Sequence, residues 1–215
     1  VKYGDCTWTE VREYARNGAV AIVPFGCTEQ QSTHLPVDFD TWFAEDLAVA
    51  AAAVLDARGK PTLVLPVVPF GPTPEHRNFG AGYIDIPAGV HDAVAGAILT
   101  SLAEQGFHTV VVWRGCGGHD LRGVVEEVRA KWEGRTTFDL PASPFERLWA
   151  QLGDPAVSVG HADSFTTSIC LYRRPQAVRL DRVPALRLPG LGRPGVGLHG
   201  LHVCRDDRGR TGCKR

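Results

Sequence analysis

The chain has 215 residues, 44% hydrophobic and 22% charged, with a formal net charge of −1. That length is enough for one well-buried domain and short for two, and the near-neutral balance gives no basic footprint for nucleic acid. No apolar run approaches the ~20 residues that span a bilayer, and the first residues lack the basic start and apolar core of a signal peptide. The expectation is a cytoplasmic protein without membrane or nucleic-acid partners.

Thr7-Trp8-Thr9-Glu10 reads as a capping box, with the Thr7 hydroxyl at a helix start and Glu10 reaching back to it. Asn17-Gly18 stops that helix. Residues 19–25 form an apolar run without alternation, the pattern of a strand buried on both faces. A helical pattern begins at Thr41, with a stripe at Phe43, Leu47, Ala50, Ala51, Val54 and Leu55. Residues 62–68 give a second strand, weakened in its later half by Pro66. Val90, Val94, Ala97, Ile98 and Leu102 stripe another helix, stopped at Gly106. Residues 109–113 are a third strand, and Leu121, Val124, Val125, Val128 and Trp132 stripe the helix after it. This alternation predicts an α/β fold, a parallel sheet of about four strands with helices on both faces. Residues 1–183 are expected to form the domain. From Pro184 the pattern fails: prolines and glycines alternate before a charged tail, so 184–215 reads as a poorly packed extension. Six cysteines lie scattered without a CxxC pair and read as free thiols.

The segment after the first strand, Pro-Phe-Gly-Cys-Thr-Glu-Gln-Gln-Ser-Thr-His-Leu-Pro-Val-Asp-Phe-Asp over 24–40, is the densest in potential ligands. Side chains at the carboxyl end of a strand in such folds face the ligand crevice, so Glu29, Gln31, His34, Asp38 and Asp40 should cluster at one mouth. A purely connecting polar loop has the same composition. The segment resembles the signature of the creatininase (creatinine amidohydrolase) family, in which Pro-x-Gly leads into Glu-Gln-His-Gly-x-His-Leu-Pro and then an Asp four residues on. Glu29, Gln30, His34, Leu35, Pro36 and Asp40 match in register, whereas Gln31 replaces a metal-binding His and Ser32 a Gly.

After the third strand comes Arg114-Gly115-Cys116-Gly117-Gly118-His119-Asp120. Its glycines allow close backbone approach and, at the start of a helix, would leave amides free for an anion. No Gly-Lys-Ser/Thr follows, so it is not a P-loop. The run resembles the family's Asn-Gly-His-Gly-Gly-Asn motif: Gly115, Gly117 and Gly118 are kept, Arg114 and His119 replace the two Asn, and Cys116 replaces a metal-binding His. Without that likeness, a tight turn around a buried, inert Cys explains it equally well. Two further stretches match. Residues 160–168 resemble His-Ala-Gly-Glu-x-Glu-Thr-Ser, keeping His161, Ala162, Thr167 and Ser168 and placing Asp163, Ser164 and Thr166 at altered positions. Residues 71–79, with Glu75, His76 and Phe79, resemble a Gly-x-Ser-x-Glu-His-x-x-Phe loop.

The resemblance implies a three-layer creatininase-like fold, a homo-oligomer (a hexamer in the family) and hydrolysis of a non-peptide C–N bond. The substrate would be an amide, lactam, cyclic amidine or formamide of a small molecule, in specialised metabolism. The family holds two metals; carried over, one uses Glu29, Asp40 and Cys116, and the other loses its imidazole at Gln31 and a carboxylate, for which Asp163 is the one candidate. The expectation is therefore one divalent ion, zinc because it accepts thiolate and carboxylate, or none. His161 would carry the proton, with Cys116 and His119 as further catalytic candidates. Gln31, His34, Glu75, His76, Arg114, Gly117, Gly118, Asp163 and Ser164 would line the substrate site. Two alternatives stand beside this: a metal-free enzyme of non-hydrolytic or acyl-transfer type, using a Cys116 thiolate of lowered pKa with His119 or His161, and an inactive ligand-binding relative.

Overall fold

The computed structural model describes residues 1–152 and 161–183, and the expected extension from residue 184 lies outside them. The described chain falls into two compact units, one built from Val1–Glu29 and Asp40–Ala142, the other from Gln30–Phe39 and the residues from Ser143 onward.

The first unit is a parallel sheet with helices on both faces. The sheet has four strands, β1 (Val20–Phe25), β2 (Thr62–Val64), β3 (Thr109–Arg114) and β4 (Thr137–Asp139), ordered β2-β1-β3-β4 with every pair parallel. β2 stops at Val64, shorter than its apolar run, because Pro66 has no N–H to donate to the ladder; pairing resumes only as a single bridge between Phe25 and Val68. β4 was not placed from the sequence: it is three residues long, with only Phe138 buried.

The capping box closes as its spacing predicts. The Thr7 amide donates to Glu10 at 2.6 Å and the Glu10 amide to the Thr7 hydroxyl at 3.4 Å, opening α1 (Trp8–Arg16). The other helices of this unit are α2 (Phe39–Ala57), α3 (Ala88–Glu104) and α4 (Arg122–Lys131). Side chains alternate across β1. Ala21, Val23 and Phe25 enter the larger core with Val11, Leu99 and Val125, from α1, α3 and α4. Ile22 points the other way, into a small cluster with Val64 and with Ala48 and Ala52 of α2.

Two helix faces differ from the expected stripes. On α2 the buried face runs through Ala44, Ala48 and Ala52, while Ala50, Ala51 and Val54 are exposed. On α3 it runs through His91, Ala95 and Leu99, leaving Val90, Val94 and Ala97 exposed. Both helices are apolar nearly all round, so periodicity does not choose their inner face. On α4 a charged outer face fixes the orientation, and all five predicted positions are buried.

β1 and β3 pair in register, ending with Phe25 beside Arg114. The chain leaves β1 toward β2 on one side and returns to β3 on the other, so this is the switch point of the sheet. The loops after both strands therefore open together. The Gly115 amide donates to the Phe25 carbonyl at 2.7 Å. A β-carbon on Gly115 would come within 2.5 Å of the Ala44 side chain, and one on Gly26 within 2.5 Å of the Thr41 backbone, so glycine is required at both.

The second unit contains α5 (Phe145–Leu152) and α6 (Ser164–Arg173). Among the described residues, no helix is long and apolar enough to cross a membrane.

Candidate metal centre

Phe25 ends β1 and the chain continues through Gly26 into Cys27 and Glu29, while Asp40 sits in the first turn of α2 and Cys116 follows β3. One ligand atom from each of Cys27, Glu29, Asp40 and Cys116 lies within 4.8 Å of the others. Three are buried, with Glu29 4% and Cys116 5% exposed and Cys27 inaccessible; Asp40 is half-buried. The Cys27 thiol donates to Asp40 Oδ2 at 3.3 Å, and the Cys116 thiol approaches Glu29 Oε2 at 3.9 Å. Cys27 was not singled out in the sequence. Its signal is its place two residues before Glu29, which puts both on one side of a chain leaving a strand.

Crowding of acids away from water sets the electrostatics. Burial, then the neighbouring Asp40 carboxylate, push Glu29 well above the usual carboxylate range. The hydrogen bond with Cys116, then burial and Asp40, push the Cys27 thiol far up. For Cys116 the bond from Cys27 favours the thiolate, but burial with Glu29 and Asp40 outweighs it, and the thiol is raised. The lowered thiol pKa expected at a helix amino end is thus corrected. α4 begins only at Arg122, six residues on, and Asp120 Oδ1 accepts that residue's amide at 3.1 Å. Gly117 and Gly118 lie in an exposed turn before that helix rather than in its first turn, and the Gly118 amide hydrogen-bonds Cys116.

Several other candidates surround the cluster. His76 Nε2 lies 3.5 Å from Glu29 Oε2 and 3.8 Å from Glu75 Oε1, and burial lowers its pKa. A β-carbon on Gly118 would stand 3.6 Å from Glu75 Oε1 and 3.8 Å from Cys116 Sγ, so Glu75 borders the site. Arg114 Nη1 donates to the His119 carbonyl at 2.8 Å, which ties the Gly-rich loop to its strand. His119 is buried, and burial, His91 and Arg114 together bring its pKa down to about 3, so its ring is neutral. A residue of that pKa is a poor proton carrier near neutral pH.

The remaining candidates lie in the second unit. His34 is fully buried, its Nε2 2.8 Å from the Thr167 hydroxyl, and its carbonyl accepts the Arg179 amide at 2.8 Å. Gln31 is buried, and the Ser164 hydroxyl has no hydrogen-bond partner among the described residues. Asp163 Oδ1 accepts the Thr166 amide at 2.8 Å and caps α6, a role the sequence reading did not give it when offering it as the missing metal carboxylate. His161 Nε2 hydrogen-bonds the Gln30 carbonyl. Between these two residues Ala162 adopts a left-handed backbone, φ 51°, unusual without glycine and common where a side chain must be aimed.

Comparison with known proteins identifies the family and the fold. A mycofactocin precursor peptide peptidase of Mycobacterium ulcerans is 32% identical over 179 residues, covering 76% of this chain and 62% of that protein. The chain thus spans somewhat under two thirds of the length of the curated relatives it matches. The crystal structure of a putative creatinine amidohydrolase from Bacteroides fragilis superposes with a TM-score of 0.73 at 26% identity, over 88% of this chain and 75% of that one. A Zn–Zn form of a creatininase variant shares the fold, with a TM-score of 0.66 at 21% identity over 98% of this chain and 86% of its own. The family model for creatinine amidohydrolase matches residues 4–212, nearly the whole sequence, and the chain belongs to the creatininase family.

Proposed function

We propose that this chain hydrolyses an amide-type C–N bond with one divalent ion held by Glu29, Asp40 and Cys116. The observation that carries this reading is the convergence of those ligand atoms within 4.8 Å at the switch point of the sheet. The donors suit a divalent ion such as zinc, which takes carboxylate oxygen and thiolate sulfur, and the burial and mutual repulsion that raise Glu29 and Cys116 are what a cation would relieve. When bound, the ion supplies Lewis acidity toward a carbonyl or a water. His76, whose Nε2 lies 3.5 Å from Glu29 Oε2, would orient that carboxylate. His161 is assigned proton transfer to the leaving nitrogen by its place in the family motif, with the strained Ala162 backbone beside it.

We read the substrate as an amide, lactam, cyclic amidine or formamide of a small molecule, and because relatives are named as peptide peptidases we include peptide amides in that class. Assembly as a homo-oligomer, a hexamer by family resemblance, belongs to this reading, and the exposed Val49, Val54, Val90 and Val94 support it. The test is amine release from a panel of these substrates by the zinc-loaded protein. Turnover of at least one is expected, lost on chelation and in Cys116→Ala and His161→Ala. Turnover that survives chelation would transfer the chemistry to the thiol. Binding without turnover across the panel would leave a ligand-binding relative.

A further inference from the structure

His119 is 1% exposed, yet among the described residues neither of its ring nitrogens has a hydrogen-bond partner. Buried imidazole nitrogens are normally satisfied, so an orphaned pair asks for an explanation. The ring is held in place on several sides. It packs against His91 at 4.7 Å between centroids, and its own carbonyl is clamped by Arg114. Gly71 makes room for it: a β-carbon there would fall 2.1 Å from both Cε1 and Nε2. In that position one ring nitrogen lies within 4.8 Å of the sulfurs of both Cys27 and Cys116, which lie within the same distance of each other.

We infer that Cys27, Cys116 and His119 form a second, thiolate-rich ligand set that takes a thiophilic divalent ion, zinc first among them. It overlaps the Glu29, Asp40 and Cys116 set at Cys116 and rests on the proposed function only in sharing that ligand. Ligands of one tetrahedral zinc stand about 3.5–3.8 Å apart, given bonds of about 2.3 Å to sulfur and 2.0–2.1 Å to nitrogen, so a small contraction closes the set. Two sulfurs and one imidazole leave the fourth position open, an arrangement found in catalytic zinc sites. Sulfur-rich donors also favour zinc or copper(I) over manganese or magnesium, which prefer oxygen. The two sets share Cys116 and compete for one ion: zinc is drawn to the sulfur-rich set and a harder divalent ion to Glu29 and Asp40, so the identity of the ion decides which residues hold it.

The test is X-ray absorption of the full chain loaded with one equivalent of zinc, beside competition titrations of zinc and manganese. Two sulfurs at about 2.3 Å with one imidazole nitrogen are expected. Cys27→Ser and His119→Gln should each weaken zinc by at least ~100-fold, beyond the ~10–100-fold typical of supporting residues, while Glu29→Gln keeps both sulfurs. Gly71→Ala, which removes no ligand but fills the space of the ring, should reproduce the loss seen in His119→Gln, with circular dichroism confirming that each variant is folded. A single sulfur in an oxygen-rich shell would overturn this inference and leave the proposed function standing. Two sulfurs with zinc affinity indifferent to His119→Gln and Gly71→Ala would overturn the imidazole ligand. No retained zinc in the unaltered chain would overturn both readings.

Discussion

In the first unit, Cys27, Glu29, Asp40 and Cys116 crowd one another, and crowding drives Glu29 and both thiols toward their neutral forms. In the second unit, several polar residues of the other motifs end on dedicated partners instead. His34 meets Thr167, Asp163 caps α6, and Asp38 receives both of its contacts from Arg174 Nη1, at 3.0 and 2.9 Å. Both groups come from sequence equally rich in His, Asp and Glu. The difference is that one set of charges compensates itself within the protein, whereas the other stays uncompensated and, on the proposed function, is arranged for a cation from outside.

The sharpest way to break this contrast is to remove ligands. Cys116→Ala, which removes the ligand both sets share, should abolish retention of a stoichiometric divalent ion through gel filtration and lower amide turnover by at least ~100-fold. Substitutions of His34 or Asp163 should leave metal content unchanged while lowering stability. Equal loss of metal in both groups, measured by elemental analysis, would erase the distinction.

Much of this was legible in the sequence where local chemistry leaves one choice. The Thr7–Glu10 box, the continuous apolar β1 and the stripe of α4 each have a single low-energy reading. The faces of α2 and α3 were not legible, because alanines on every side make several orientations equivalent until the sheet selects one. β4 escaped because three residues with one buried Phe carry no pattern. Within the candidate site, the convergence of Glu29, Asp40 and Cys116 followed from motif positions, since parallel strands bring their carboxyl ends together. Cys27 was hidden by matching no motif, and the capping role of Asp163 by looking like a displaced ligand. Side-chain partners across a fold are set by packing, which spacing does not encode.

A second test reads the same contrast through pH. Glu29 in the metal-free protein is pushed up to about 9, above its value in the unfolded chain. Between the two values the folded state holds the extra proton, so stability is full at low pH and falls as pH rises from the ordinary carboxylate range toward 9. The raised thiols act in the same direction above the usual thiol range. Zinc favours the ionised forms and should remove or reverse this slope. Thermal unfolding from about pH 5 to pH 9 should therefore diverge between chelated and zinc-loaded protein, most strongly at the alkaline end. A chelated protein with a flat profile would mean that the acids are already compensated.

Smaller effects are expected in the second unit. Asp163→Ala removes the side chain that accepts the Thr166 amide and should cost about 0.5–2 kcal/mol, the usual range for a lost helix cap. Asparagine at the same position can still accept that bond and should recover most of the loss. If turnover fell and metal were lost in the asparagine variant as well, Asp163 would belong to the ion rather than to the helix.

The smallest effect belongs to Asp38, which lies in the same ligand-rich segment as Glu29 and Asp40. Its carboxylate faces the Arg174 guanidinium, but the side chains are 43% and 29% exposed, so water and salt screen the pair. Both contacts come from the single Nη1 atom, a geometry weaker than a two-nitrogen fork. Asp38→Asn should cost only about 0.2–1 kcal/mol, and the difference from the unaltered protein should shrink as salt rises. Arg174→Gln should give a similar loss, and the double variant no more than either alone, because each removes the same interaction. Metal content and turnover should not move in any of the three. A Asp38→Asn protein that unfolds normally but loses its ion would show that the charge of this segment, and not only the four crowded ligands, holds the cation.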